Sequence, residues 1–347
     1  KSRGHSACDY TFHLAVTRFD RTTEKQIREI VDRGISSFKV YLAYKDTVNL
    51  PDDELFGLMQ SARELGVVVL GHCENAMAID ALQRQLLAEG KTGPEWHYFS
   101  RPPAIEAQGT HHFLTFAERT GARAYVVHLS CREALQQAVA ARERGVNVHI
   151  ETLPSYLLLD KTCAERPGFE GAKYVVSPPL REQDNQPALW DALKNKVIDT
   201  VGSDHAPFDF ATQKRLGEKD FTRIPNGMPT LEDRVNLLFT RGVVEGRIDI
   251  RRFVEVASTN PAKIFGLHPR KGTLQPGSDA DLVVYNPGYS GIISAKTHSM
   301  NVDYNPYEGF TIKGRPEFVT VRGQIMVRHG QFVGRPDWGT FIARKPA

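Results

Sequence analysis

Four side chains able to bind a metal ion or move a proton stand at corresponding places along the chain. Lys39 interrupts the apolar run SSFKVYLAY (36–44), His72 follows VVVLG, His128 follows AYVV and Asp204 follows IDTVGS. An ammonium is costly to bury beside Phe38, Val40, Tyr41 and Leu42. Taken singly, each residue has a plainer explanation. A histidine after a strand commonly rests in a core or surface hydrogen bond, and Asp204 in SDHAP suits a turn or helix cap. Lys39 can also run its amine out to water along an apolar stem. The same polar placement on successive units argues against four separate coincidences.

Imidazole and carboxylate groups together suit a divalent ion such as zinc, with positions left open for water in catalytic sites. A protonated lysine is a poor ligand. Reaction with carbon dioxide would turn it into a carbamate, an anion with two oxygens that can bridge two metals. Lys39 would then be an anion held by cations, which accounts for its place in an apolar strand.

The elements that must position these groups alternate in type. Strands are expected at YTFHLAV (10–16), SSFKVYL (36–42), VVVLGHC (67–73), AYVVHLS (124–130), VNVHIE (146–151) and VIDTVGSD (197–204). Helical spacing marks TEKQIREIVDRG (23–34), DDELFGLMQSARELG (52–66) and CREALQQAVAARERG (131–145), each closed by a stop-type glycine. Such alternation predicts parallel βαβ units, with the strand C-terminal ends directed to one shared site. Six units are visible, whereas a closed (β/α)8 barrel takes eight strands and roughly 250 residues. The fold is therefore an open sheet, or two strands precede the chain. Beyond residue 265 the texture changes: 271–287 and 318–334 predict β-strands joined by glycine-containing turns. The final segment RPDWGTFIARKPA has no clear element and is expected to dock on a neighbour.

Bulk properties exclude several classes. Of 347 residues, 44 are basic and 41 acidic, a net charge of +3 that gives no case for nucleic acid or membrane binding. The four cysteines, Cys8, Cys73, Cys131 and Cys163, form no CxxC pair and predict reduced thiols in a cytoplasmic protein. No apolar run approaches the roughly 20 residues of a membrane span.

FKVYLAYKD, GHCEN, VVHLS, SPPLR, GSDHAPF and IPNGMPTLEDR occur in the order found in cyclic amidohydrolases. Within that group the chain most resembles dihydropyrimidinases, also called hydantoinases, over nearly its whole length, from about Cys8 to Gly334. The resemblance implies a TIM-like (β/α)8 amidohydrolase barrel over 1–265, incomplete at its N-terminus, and part of a small β-sandwich over 266–347. It implies two divalent metal ions, with zinc the expected identity, bridged by carbamylated Lys39. His72 and His128 would bind the more exposed metal. Asp204 would bind the buried one and transfer protons. Tyr44 would hydrogen-bond the substrate and its oxyanion, and Ser177 and Asn226 would hold the ring through main-chain groups. A homotetramer is the usual assembly of such relatives.

Two departures stand out. The family carries His-x-His at the end of its first barrel strand, and none of the twelve histidines here forms that motif. An N-terminal segment with the first two βα units is therefore expected upstream. Leu153 and Ser155 replace the Cys and Gln frequent in relatives, which bears on ring-substituent preference.

The implied activity is hydrolytic opening of dihydropyrimidines and hydantoins to N-carbamoyl amino acids by a metal-bridging hydroxide. Two alternatives remain at this stage. One is an allantoinase-like hydrolase, against which Ser177-Pro178-Pro179 stands where allantoinases and dihydroorotases carry Asn-Pro-Pro. The other is a metal-free scaffold relative.

Overall fold

The computed structural model describes residues 2–346. Its main sheet has six parallel strands in sequential order: β1 (Leu14–Ala15), β2 (Ser37–Tyr41), β3 (Val68–His72), β4 (Arg123–Val126), β5 (Val148–Thr152) and β6 (Thr200–Val201). The helices between them include α1 (Arg21–Asp32), α2 (Asp52–Leu65), α3 (Ala76–Ala88), α4 (Trp96–Phe99), α5 (Pro103–Thr120) and α6 (Arg132–Glu143). Local chemistry sets their limits. Asp20 caps α1 by accepting from the Thr22 and Thr23 amides, and Gly66 ends α2 at φ 66°.

Alternation along each strand separates two faces. Phe38, Val40, Val69, Ala124, Val126, Val148 and Ile150 turn toward the helices and join the main core. Gly71 keeps the same side, where a Cβ would lie 2.8 Å from the Phe113 ring. The opposite face carries Val68, Leu70 and Tyr125, a small apolar cluster closed by Val127 and Ile264. Lys39, His72 and Glu151 share the parity of this second face. Register reinforces the arrangement, because Lys39 pairs with Leu70 and Tyr41 with His72.

Several strands are shorter than expected. The run from Tyr10 contributes only Leu14–Ala15, and the run before Asp204 only Thr200–Val201. His128 and Asp204 therefore lie on loops just past their strands.

The C-terminal region is one antiparallel sheet of β7 (Val283–Ile292), β8 (Thr311–Val321), β9 (Gln324–Arg328) and β10 (Gln331–Phe332). The second layer of a sandwich is not among the described residues. Residues 271–282 form no strand, contrary to expectation. Ion pairs fold that stretch back instead: Arg270 to Asp279 at 2.8 Å, and Lys271 to Asp9 at 2.7 Å. The tail, whose described residues carry no helix or strand, docks on the N-terminal part of its own chain. Ile342 donates to the Tyr10 carbonyl at 2.8 Å, the Arg344 amide to Gly34 at 2.8 Å, and the Arg344 side chain to Ser37 Oγ at 2.7 Å.

Candidate active site

The C-terminal ends of β2, β3 and β4 bring Lys39, Tyr44, His72 and His128 together. The His72 and His128 rings meet edge to face with centroids 4.6 Å apart, and Tyr44 lies 5.1 Å from His72. Lys39 Nζ stands 5.1 Å from the Tyr41 ring and forms no ion pair with a described residue. Burial lowers its pKa to about 8, with Asp204 and then Glu151 opposing the fall. That enlarges the minor share of neutral amine at neutral pH, the form able to react with carbon dioxide.

Both histidines are held neutral: burial, then the Lys39 charge, pushes each well below the usual imidazole range. His72 Nε2 lies 2.7 Å from Glu74, so a neutral ring donating to that carboxylate keeps its lone pair on Nδ1. His128 Nδ1 is buried without a partner. Asp204 is exposed as a residue, yet protein crowds its carboxyl group. That desolvation raises its carboxyl pKa against the pull of Lys39.

Three of these residues have left-handed backbone: Tyr44 at φ 64°, His128 at φ 41° and Asp204 at φ 46°. Non-glycine residues adopt this region at a cost, and such positions gather at functional sites. Glu151 accepts the His128 amide at 3.2 Å and the Tyr125 hydroxyl at 2.8 Å, bracing one of these turns.

Ser177 and Asn226 meet in a second part of the site, where Asn226 Nδ2 donates to Ser177 Oγ at 3.0 Å. His97 on α4 supports this pair, its Nε2 lying 2.9 Å from the Val176 carbonyl and 3.2 Å from Ser177 Oγ. Arg101 connects the two parts. Its guanidinium pairs with Glu74 at 2.7 Å and lies 5.3 Å from the Tyr44 ring centroid. Leu153 is a core residue, and Tyr156 on the helix Pro154–Leu158 donates to the Pro178 carbonyl at 2.7 Å. The segment of the Leu153 and Ser155 departures thus reaches the site by supporting the SPPLR backbone.

The metal-binding chemistry fits these residues: two neutral imidazoles, one with a buried nitrogen that has no partner among the described residues, a carboxylate, and a lysine that makes no direct ion pair with a described residue. The set is partial. Among the described residues, no three His, Cys, Asp or Glu side chains converge as a metal cage. Sequence reasoning did not single out Glu74, Arg101, Glu151 or His97. Glu74 lay within the quoted GHCEN motif, whereas Arg101 and His97 follow no pattern of spacing.

A parallel α/β sheet with histidine, aspartate and lysine gathered at its C-terminal edge is the kind of architecture that metal-dependent hydrolases use. The model of the amidohydrolase family matches residues 5–326, and the chain belongs to that family. The expected likeness to hydantoinases is borne out. The D-hydantoinase of Geobacillus stearothermophilus is 47% identical over 345 residues, covering 99% of this chain and 73% of that protein. A D-hydantoinase (dihydropyrimidinase) structure from Thermus sp. matches at TM-score 0.98 and 59% identity, covering 99% of this chain and 75% of that one. The L-hydantoinase (dihydropyrimidinase) of Arthrobacter aurescens matches at TM-score 0.87 and 32% identity, covering 96% of this chain and 74% of that one.

Proposed function

We propose that the protein opens hydantoins and 5,6-dihydropyrimidines by hydrolysis of a ring amide, giving N-carbamoyl amino acids. High identity to hydantoinases over 99% of the chain is the observation that carries this reading. It leaves the metal-free scaffold alternative without support. In the same reading, the six strands are six of the eight in a (β/α)8 barrel. His-x-His would come from a preceding segment, and a homotetramer is the expected assembly.

Carbamylated Lys39, His72, His128 and Asp204 would hold two divalent ions, with zinc the favoured identity. When bound, such ions polarise a carbonyl and make water nucleophilic at neutral pH. Ser177 and Asn226 hold the ring so that one carbonyl carbon is presented for attack. Tyr44 donates its hydroxyl to the carbonyl oxygen as negative charge grows there. Burial, opposed by Arg101, raises the Tyr44 pKa and keeps that proton in place. Asp204 accepts the proton of the attacking water and returns it to the ring nitrogen as the carbon–nitrogen bond breaks.

The test is turnover of hydantoin, dihydrouracil and allantoin by the zinc-loaded protein carrying the segment that supplies His-x-His, since residues 1–347 alone lack that motif and should be poorly active. Opening of the first two with N-carbamoyl products is expected. Preference for allantoin would replace the reading with its ureide alternative.

A further inference from the structure

Lys214 is a lysine for which the proposed chemistry has no use. It opens a single 3-10 turn, Lys214–Gly217, and its side chain is 0% exposed. Among the described residues no carboxylate pairs with it. Its ammonium donates to two backbone carbonyls, Val175 at 2.9 Å and Pro225 at 2.7 Å, and lies 5.8 Å from the Phe208 ring centroid. Burying a cation with so few partners is costly, and desolvation lowers its pKa to about 7.

The two acceptors explain its retention. Val175 lies two residues before Ser177, and Pro225 immediately precedes Asn226. The Val175 carbonyl also accepts the Gly227 amide at 3.0 Å, so this one carbonyl, two residues before Ser177, is tied to the chain on both sides of Asn226. Gly227 leaves little room for adjustment, since a Cβ there would lie 2.5 Å from the Ala206 carbonyl oxygen. One ammonium therefore ties together the backbones of two loops far apart in sequence.

We propose that Lys214 is a positioning residue that sets the spacing of the two ring-holding segments, and so governs substrate binding without touching substrate. This rests on the assignment of Ser177 and Asn226 as ring contacts. Either carbonyl released from the ammonium would be free to find water, and the loops would separate.

The test compares Lys214→Met and Lys214→Arg with the wild type in metal-loaded enzyme. The readouts are kcat, KM, metal content, Tm and crystal structures. For Lys214→Met, KM for hydantoin and dihydrouracil should rise about tenfold or more, with kcat changed less than about threefold and metal content unchanged. Lys214→Arg, which keeps donors, should fall between the two. If Lys214→Met does not fold, the Lys214→Arg comparison decides. A lowered Tm with wild-type KM in the folded variants overturns the proposal, because it leaves Lys214 a purely structural role. Failure of the wild type, carrying the segment that supplies His-x-His, to open either ring would instead count against the functional reading. The spacing claim then stands or falls on the crystal structures: a Ser177 Oγ to Asn226 Nδ2 distance that stays at 3.0 Å in the variants overturns it.

Discussion

Glu74 Oε2 lies 2.7 Å from His72 Nε2 and orients that ring, with Nδ1 the nitrogen open to the proposed metal. Arg101 Nη1 donates to the same oxygen, Glu74 Oε2, at 2.7 Å. Partners of this kind fix a ligand's tautomer and orientation. Glu74→Gln should therefore weaken metal binding by about 10–100-fold while the fold persists. Competition with a chelator at fixed free zinc measures this. Unchanged affinity would show that His72 is oriented by packing alone.

Lys39 is expected to carry one added carbon dioxide in metal-loaded protein prepared with bicarbonate. Intact mass under non-acidic conditions should show that increment in wild type and none in Lys39→Met. The variant should also lose bound metal and essentially all ring-opening activity. An unmodified Lys39 in fully active, metal-loaded enzyme would contradict the bridging role.

His97 links the site to acid stability. Burial, and then Arg101, lowers its pKa from 6.5 to about 3. The unfolded chain thus takes up a proton below about pH 6.5 that the folded chain refuses until about pH 3. Stability from this residue is complete above the upper limit and is lost on acidification through that window, at up to about 1.4 kcal/mol per pH unit. Chelator-treated protein removes metal release from the measurement. Denaturant unfolding from pH 7 to 4 should show a shallower decline for His97→Gln than for wild type. Parallel curves would mean that His97 contributes nothing to the slope.

Arg181 of SPPLR and Glu106 of α5 form a buried pair at 2.7 Å. Glu106 also accepts the Ser130 amide at 2.9 Å and the Ser130 hydroxyl. The Glu106 carboxylate keeps Arg181 firmly charged, and the guanidinium in turn opposes the burial that raises the Glu106 pKa. Removing one partner strands the other charge, so Arg181→Met should cost about 3–5 kcal/mol. The double variant Arg181→Met, Glu106→Leu should regain most of that loss. Urea titrations of the four proteins test the cycle, and equal destabilisation of single and double variants would refute it.

The face on which Lys39 and His72 lie was legible in the sequence, because alternation about Phe38 and Val40 forces Lys39 to the other side. Strand ends were less so. AYVVHLS read as continuous to Ser130, yet β4 stops at Val126 because His128 turns left-handed. No propensity in that run announces the turn; the Glu151 carboxylate on the neighbouring strand supports it. Lys214 was invisible for a similar reason. It lies in irregular chain without periodicity, and its partners are carbonyls, which carry no residue signature.

The shared handedness of the backbone at Tyr44, His128 and Asp204 limits how this centre can be re-engineered. Valine, isoleucine or threonine would set a branched Cβ against the chain at all three places, whatever chemistry was wanted. Asparagine and glycine suit that geometry best, so randomised libraries restricted toward them should retain more folded members than unrestricted ones.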